Sequence, residues 1–266
     1  MKIERYGRNT LTIIEDKEGL NRVTGSLGAD DADSLTRFGR GRMFYAQQWT
    51  SAYTYNFLLS KVSEIHPRSL LHLGCGTDNL RRVLETNYVM VDSYTGMDLS
   101  LNNLREALHV TNGIKGNYQC RDLSLGLQDM EDDSVDVVIA IELIEHFSDK
   151  ERGKFLFQEI IRVAKKAAII ATPQVLNGEM RYSDFHLYEF TRDELLEMSA
   201  KVRGKFAIQR QYGINIGTKE YEKAIKTEPD WLRHANEYLT PKLLRGVYAA
   251  GHPEQANDVL MTFEHE

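Results

Sequence analysis

Apolar and polar positions alternate between two rhythms along this chain. From about residue 66 onward, short apolar runs of strand length are separated by stretches whose apolar residues recur every three or four positions, the mark of βαβ units and a parallel sheet. The runs SLLHLG (69–74), TGMDL (95–99), NYQCRD (117–122), VDVVIAIE (135–142), KAAIIATP (166–173), FAIQRQYG (206–213) and VLMTFEH (259–265) predict seven strands. Helices are predicted near 78–86, 101–110, 150–164 and 191–201, the last opened by Thr191 with Glu194 three residues on, a capping box. Segment 218–250 reads as a helical insertion between the last two strands. Upstream, Ser34 to Ile65 is helical in pattern, and Tyr45, Trp49, Tyr53 and Phe57 form an aromatic stripe expected to pack over the edge or mouth of the sheet. Residues 1 to about 30 suggest a hairpin or extended arm, with LTIIED as a strand and GSLGADDADS as a turn.

Composition changes this picture little. The chain is long enough to bury a full α/β core. Its net charge of -6 offers no global field for a polyanion, which disfavours nucleic acid as a partner. The local cluster Arg37, Arg40 and Arg42 reads first as a solvated face. Cys75 and Cys120 stand in no metal or redox spacing, as expected of a reducing compartment. The N-terminus has no apolar core of a signal peptide, and no run reaches membrane-spanning length, so a soluble, cytoplasmic protein is expected. Without repeats or linkers, one domain is expected over 1–266: an N-terminal arm and helices (1–66), a core (67–217), the insertion (218–250) and a last strand (251–266).

The candidate chemistry starts at LLHLGCGTDNL, where a strand runs into Gly74, Cys75 and Gly76 and then a helix. Glycines there allow a tight turn and close approach of a ligand to backbone N–H groups. Asp98 closes the next strand about twenty residues on, where a carboxylate can accept both hydroxyls of a ribose. Asp122, with Leu123 beside it, ends the strand after that, within reach of an adenine amino group.

With LGCGT, GMDLS, RDL, DSVDVVIAIELIEHF and ATPQ in this order, residues 66 to 200 resemble the class I S-adenosylmethionine-dependent methyltransferases. The resemblance implies a Rossmann-like, doubly wound α/β fold with a seven-stranded sheet, the last strand antiparallel, an N-terminal helical extension and a helical insertion before the last strand. It implies S-adenosylmethionine as cofactor, held by His72, Gly74, Cys75, Gly76, Asp98, Leu99, Asp122, Leu123, Ile141 and Glu142. Two positions depart from the family pattern. His72 stands where an acidic residue is usual, and Asp78 where a third glycine is usual.

If the chain turns helical after Glu142, then Glu142, Glu145 and His146 share one face and could hold a divalent cation. His186 is a further possible ligand. The stretch around it is similar to quinone-pathway O-methyltransferases and to the metal-dependent enzymes that methylate the 2′-hydroxyl at small-RNA 3′ ends. Those enzymes' Glu, Glu, His and His would fall on Glu142, Glu145, His146 and His186, with His146, Glu145 and His186 as the catalytic candidates. The expected reaction is methyl transfer to a hydroxyl of a small molecule or nucleotide. RNA or DNA modification stands second, and a non-catalytic protein that retains the fold stands third. No NPPY-type tetrapeptide follows the fourth predicted strand, which argues against methylation of a base amine.

Overall fold

The computed structural model describes residues 1–14, 48–109, 113–176, 178, 186–202, 205–227 and 241–265. A hairpin of β1 (Lys2–Tyr6) and β2 (Asn9–Ile13) precedes helix α1 (Gln48–Ile65). Then follow β3 (Ser69–Leu73), α2 (Asn79–Thr86), β4 (Ser93–Asp98), α3 (Leu101–Leu108), β5 (Gly116–Cys120), β6 (Val135–Ile141), α4 (Lys150–Val163) and β7 (Ala164–Val175). The C-terminal part contains β8 (Phe190–Thr191), α5 (Arg192–Lys201), β9 (Ile208–Asn215), α6 (Thr218–Ala224), α7 (Pro241–Gly251) and β10 (Asp258–Glu264).

The strands form one sheet in the order β1-β2-β5-β4-β3-β6-β7-β10-β9, with β8 paired to the end of β7. Pairing is parallel from β2 through β7, and β10 runs antiparallel to both β7 and β9. All seven predicted strands are present, each within two residues of its expected bounds. The sheet is nevertheless larger than seven strands. Parallel pairing of β2 with β5 makes the N-terminal hairpin an extension of the sheet, with Leu11 opposite Tyr118. No local pattern encodes that pairing, because the two strands lie about a hundred residues apart in the chain.

Alternation within the strands sends side chains to two cores. Leu71, Leu73, Met97, Val138 and Ile170 face Leu156, Phe157 and Ile160 of α4 and Leu195 and Met198 of α5. Leu70, Tyr94, Tyr118, Val137 and Ile169 face Leu58 and Val62 of α1, Leu80 and Leu84 of α2, and Leu104 and Leu108 of α3. β6 is covered on both faces, which explains its apolar run over 137–141. On α1 the buried positions are Thr54, Leu58, Lys61 and Val62, while Phe57 of the expected aromatic stripe is half-buried against Tyr212. Tyr45, the side chains of Trp49 and Tyr53, and the Arg37, Arg40 and Arg42 cluster lie outside the described residues. Among the described residues no helix is long and apolar enough to cross a membrane.

β3 is flanked by β4 on one side and β6 on the other, so the direction of winding reverses there. The carboxyl ends of the strands beside such a reversal are where doubly wound sheets bind ligands. The Gly74 turn, Asp98, Asp122 and Glu142 all stand at that edge.

Candidate functional site

The turn after β3 is wound by three left-handed residues in five: Gly74 (φ 64°), Gly76 (φ 54°) and Asp78 (φ 62°). An added Cβ at Gly76 would meet nothing within 4 Å, so open space lies over this backbone. The turn is tied to β4 by Cys75 N–H donating to Met97 O at 3.1 Å and by Gly76 N–H donating to Asp98 Oδ2 at 2.8 Å. Asp98 Oδ1 accepts from Ser100 N–H at 2.8 Å. A carboxylate oxygen can accept a second bond, so these contacts aim Asp98 without exhausting it. Asp122 Oδ1 accepts from Ser124 N–H at 2.9 Å and caps the short 3-10 turn Leu123–Leu125. Leu99 and Ile141 are half-buried near these ends, and Leu123 is buried. Burial pushes the Cys75 thiol up, which suits packing and not nucleophilic chemistry.

Behind the turn lies a buried polar group that crosses three strands. Asp78 has no exposed surface. Its Oδ1 accepts from the Tyr94 hydroxyl and its Oδ2 from the Tyr118 hydroxyl at 2.5 Å. His72 Nδ1 lies 2.9 Å from the Tyr94 oxygen and 3.5 Å from Asp78 Oδ1. Tyr94 has one proton and gives it to Asp78, so His72 Nδ1 carries a proton toward the pair. Arg81 Nε stands 3.9 Å from Asp78 Oδ2, while Arg81 Nη1 donates to Asn9 Oδ1 at 3.2 Å. Burial alone would raise the Asp78 carboxyl; contacts with His72, Tyr118 and Tyr94 hold it below its ordinary value. The same burial, with Asp78 beside it, holds the Tyr94 phenol well above its own.

A second group gathers after β6. The chain does not become α-helical after Glu142, as the shared-face argument required. Glu142 is itself left-handed (φ 50°), and only a 3-10 turn, Ile144–His146, follows. Glu145, His146 and His186 each offer a ligand atom within 4.8 Å of the others; Glu142 is not in that group. Glu145 is fully buried. Its Oε2 accepts from the Thr172 hydroxyl at 3.2 Å, whereas Oε1 has no hydrogen-bond partner and lies 3.8 Å from His146 Nε2. Burial pushes its carboxyl up to about 8.

His186 reaches this place because its segment is clamped to the 3-10 turn. Leu187 N–H donates to Glu145 O at 3.1 Å, and the Tyr188 hydroxyl donates to Ile144 O at 2.6 Å. Its Nδ1 lies 3.3 Å from Oε1 of the buried Glu189, a contact that fixes the ring and its tautomer. The capping box at Thr191 and Glu194 forms as expected and fixes the start of α5 just beyond. Sequence reasoning passed over Tyr94, Tyr118, Thr172 and Glu189. Of these, only Glu189, three residues after His186, left a local signal.

Residues 71–172 match the family model described as a methyltransferase domain. Over that stretch, less than half of its length, the chain is similar to methyltransferase domains. Solved structures with the same fold include the methyltransferase domain of a bacterial Hen1 (CtHen1), at a TM-score of 0.53 and 18% identity, covering 81% of this chain and 98% of that one. The small RNA methyltransferase HEN1 superposes at a TM-score of 0.54 and 15% identity, over 81% of this chain and 25% of that one. A SAM-dependent methyltransferase from Thermotoga maritima matches at 0.50 and 14% identity, over 88% and 97%. The matched stretch and the shared fold both agree with a methyltransferase.

Proposed function

We propose that this methyltransferase transfers a methyl group from S-adenosylmethionine to a hydroxyl of a small molecule or nucleotide, with a divalent cation held by Glu145, His146 and His186. The observation that carries the metal part is Glu145 Oε1, a fully buried carboxylate oxygen without a hydrogen-bond partner, 3.8 Å from an imidazole nitrogen. Such an oxygen is costly unless a cation meets it. One carboxylate with two imidazoles suits a transition-metal ion better than magnesium.

The cofactor would be held by the Gly74–Gly76 turn, Asp98, Leu99, Asp122, Leu123, Ile141 and Glu142, with Asp98 toward the ribose and Asp122 toward the adenine. Open space over Gly76 and two carboxylates already aimed by backbone N–H groups support that assignment. When bound, S-adenosylmethionine supplies an electrophilic methyl group, and a cation beside it would make an acceptor hydroxyl more acidic. The chain's own part is positioning. Thr172 sets the Glu145 carboxylate, Glu189 sets the His186 ring, and the Tyr188 clamp keeps the two segments together.

RNA is the second reading. Its support is the likeness in fold to the Hen1 domains, and a small RNA therefore belongs beside free nucleotides in the acceptor panel. The test is methyl transfer from radiolabelled S-adenosylmethionine to hydroxyl acceptors, with and without chelator, after calorimetric titration of the cofactor into wild type and Asp98→Ala. The expected result is binding that Asp98→Ala abolishes, and transfer that chelator stops and Mn²⁺ restores. Transfer indifferent to chelator would remove the metal from the reading, and an absence of cofactor binding would remove the whole reading.

A further inference from the structure

The two departures from the family pattern, His72 and Asp78, meet each other in the structure. Their polar atoms lie 3.5 Å apart, and both surround the Tyr94 hydroxyl. Asp78 is also the last residue of the turn that presents Gly76. Its N–H donates to Cys75 O at 2.9 Å, and its side chain receives Arg81 N–H at 3.4 Å to begin α2. A non-glycine residue in the left-handed region is strained unless its surroundings hold it there. Here they do, because Tyr94 of β4 and Tyr118 of β5 grip its carboxylate from below. Gly96 lets this happen: a Cβ there would come within 2.7 Å of the Tyr118 ring and 2.9 Å of Cys75 Sγ.

We infer that Asp78 and His72 form a positioning pair for the cofactor turn: the Asp78 carboxylate, across the turn from the end of β3, locks Gly74 to Asp78 in the conformation that receives S-adenosylmethionine. The two positions are therefore coupled, and neither changes alone without loss of cofactor affinity. Atom placement supports the exchange. Nδ1 of a histidine and Oδ1 of an aspartate stand equally far along their side chains, so an aspartate at 72 would present an oxygen to the Tyr94 hydroxyl. This inference rests on the turn being the cofactor site.

The test is calorimetric titration of S-adenosylmethionine into wild type, Asp78→Gly and the double variant His72→Asp/Asp78→Gly, with thermal unfolding of each. Glycine removes the left-handed strain but also the lock. If the unlocked turn occupies its binding conformation about one-tenth of the time, affinity falls about tenfold. The expected outcome is that loss in Asp78→Gly and recovery of most of it in the double variant, which a merely structural role for Asp78 would not produce. Should Asp78→Gly fail to fold, Asp78→Asn carries the test, since asparagine tolerates the same backbone and lacks the charge. Wild-type affinity in the single variant that folds, or a double variant no tighter than Asp78→Gly, overturns the inference. A wild-type chain that does not bind the cofactor overturns the reading of the turn itself, so the two failures are distinguishable.

Discussion

Asp78 and Glu145 are both acidic, both fully buried, and both close to the carboxyl edge of the sheet, yet their surroundings are opposite. Around Asp78 the chain supplies two phenols, an imidazole and a guanidinium, and the carboxyl is held below its ordinary value. Around Glu145 it supplies one hydroxyl, leaves Oε1 without a hydrogen bond, and the carboxyl is pushed up to about 8. A buried charge must be neutralised, paired or met by a ligand. Asp78 is completed from within and belongs to the architecture of the turn. Glu145 is left to be neutralised by a proton or, in the proposed reading, met by a cation.

Replacing each acid by its amide is the sharpest way to break this contrast. Glu145→Gln is expected to reduce metal-stimulated methyl transfer by more than the roughly 100-fold typical of losing a partner of a metal-bound histidine, while leaving the metal-free fold as stable as before or more so. Transfer assays beside thermal unfolding check both halves. Glu189→Gln should weaken metal affinity about 10–100-fold by releasing the His186 ring, read by isothermal titration with Mn²⁺. Asp78→Asn, in contrast, should lower stability by about 3 kcal/mol, because it breaks a buried charged group without removing its partners. If the two amide variants shift the unfolding temperature alike, the contrast is wrong.

The pH dependence of the metal-free chain is the gentlest probe. Glu145 has a folded-state value of about 8 against an ordinary 4.5, so the folded form binds the extra proton between them. Its contribution to stability is therefore present below about 4.5 and lost as pH rises through about 8. The unfolding temperature should fall over that window, and a saturating divalent cation should flatten the fall. Glu145→Gln should flatten it without the cation.

The parallel sheet was legible because its strands are buried on both faces or capped by strong helices, and such runs announce themselves in a single sequence. Thr191 and Glu194 were legible because a capping box is local. The N-terminal segment reads as a hairpin or an extended arm; the hairpin forms, but its place in the sheet was not legible because the pairing of Leu11 with Tyr118 is non-local. Glu142 shares a face with Glu145 and His146 only if the chain turns helical after it, and a left-handed residue at the strand end cancels that geometry. Asp78 read as an irregularity in a glycine motif. Its meaning lies in His72, Tyr94 and Tyr118, on three different strands, and no spacing along the chain brings those together.

Asn9 carries a consequence for the order of folding. Its amide donates to Leu108 O at 2.8 Å, and its oxygen accepts from Gly116 N–H at 2.9 Å and from Arg81 at 3.2 Å. The residue belongs to the second strand of the chain, yet every one of these partners is made long after it. On a ribosome the hairpin would wait for β5 before it could dock, and a refolding chain must close a loop of about seventy residues to seat Arg81 and one of about a hundred to reach Gly116. These two strands, made before all of those partners, would thus find their places late.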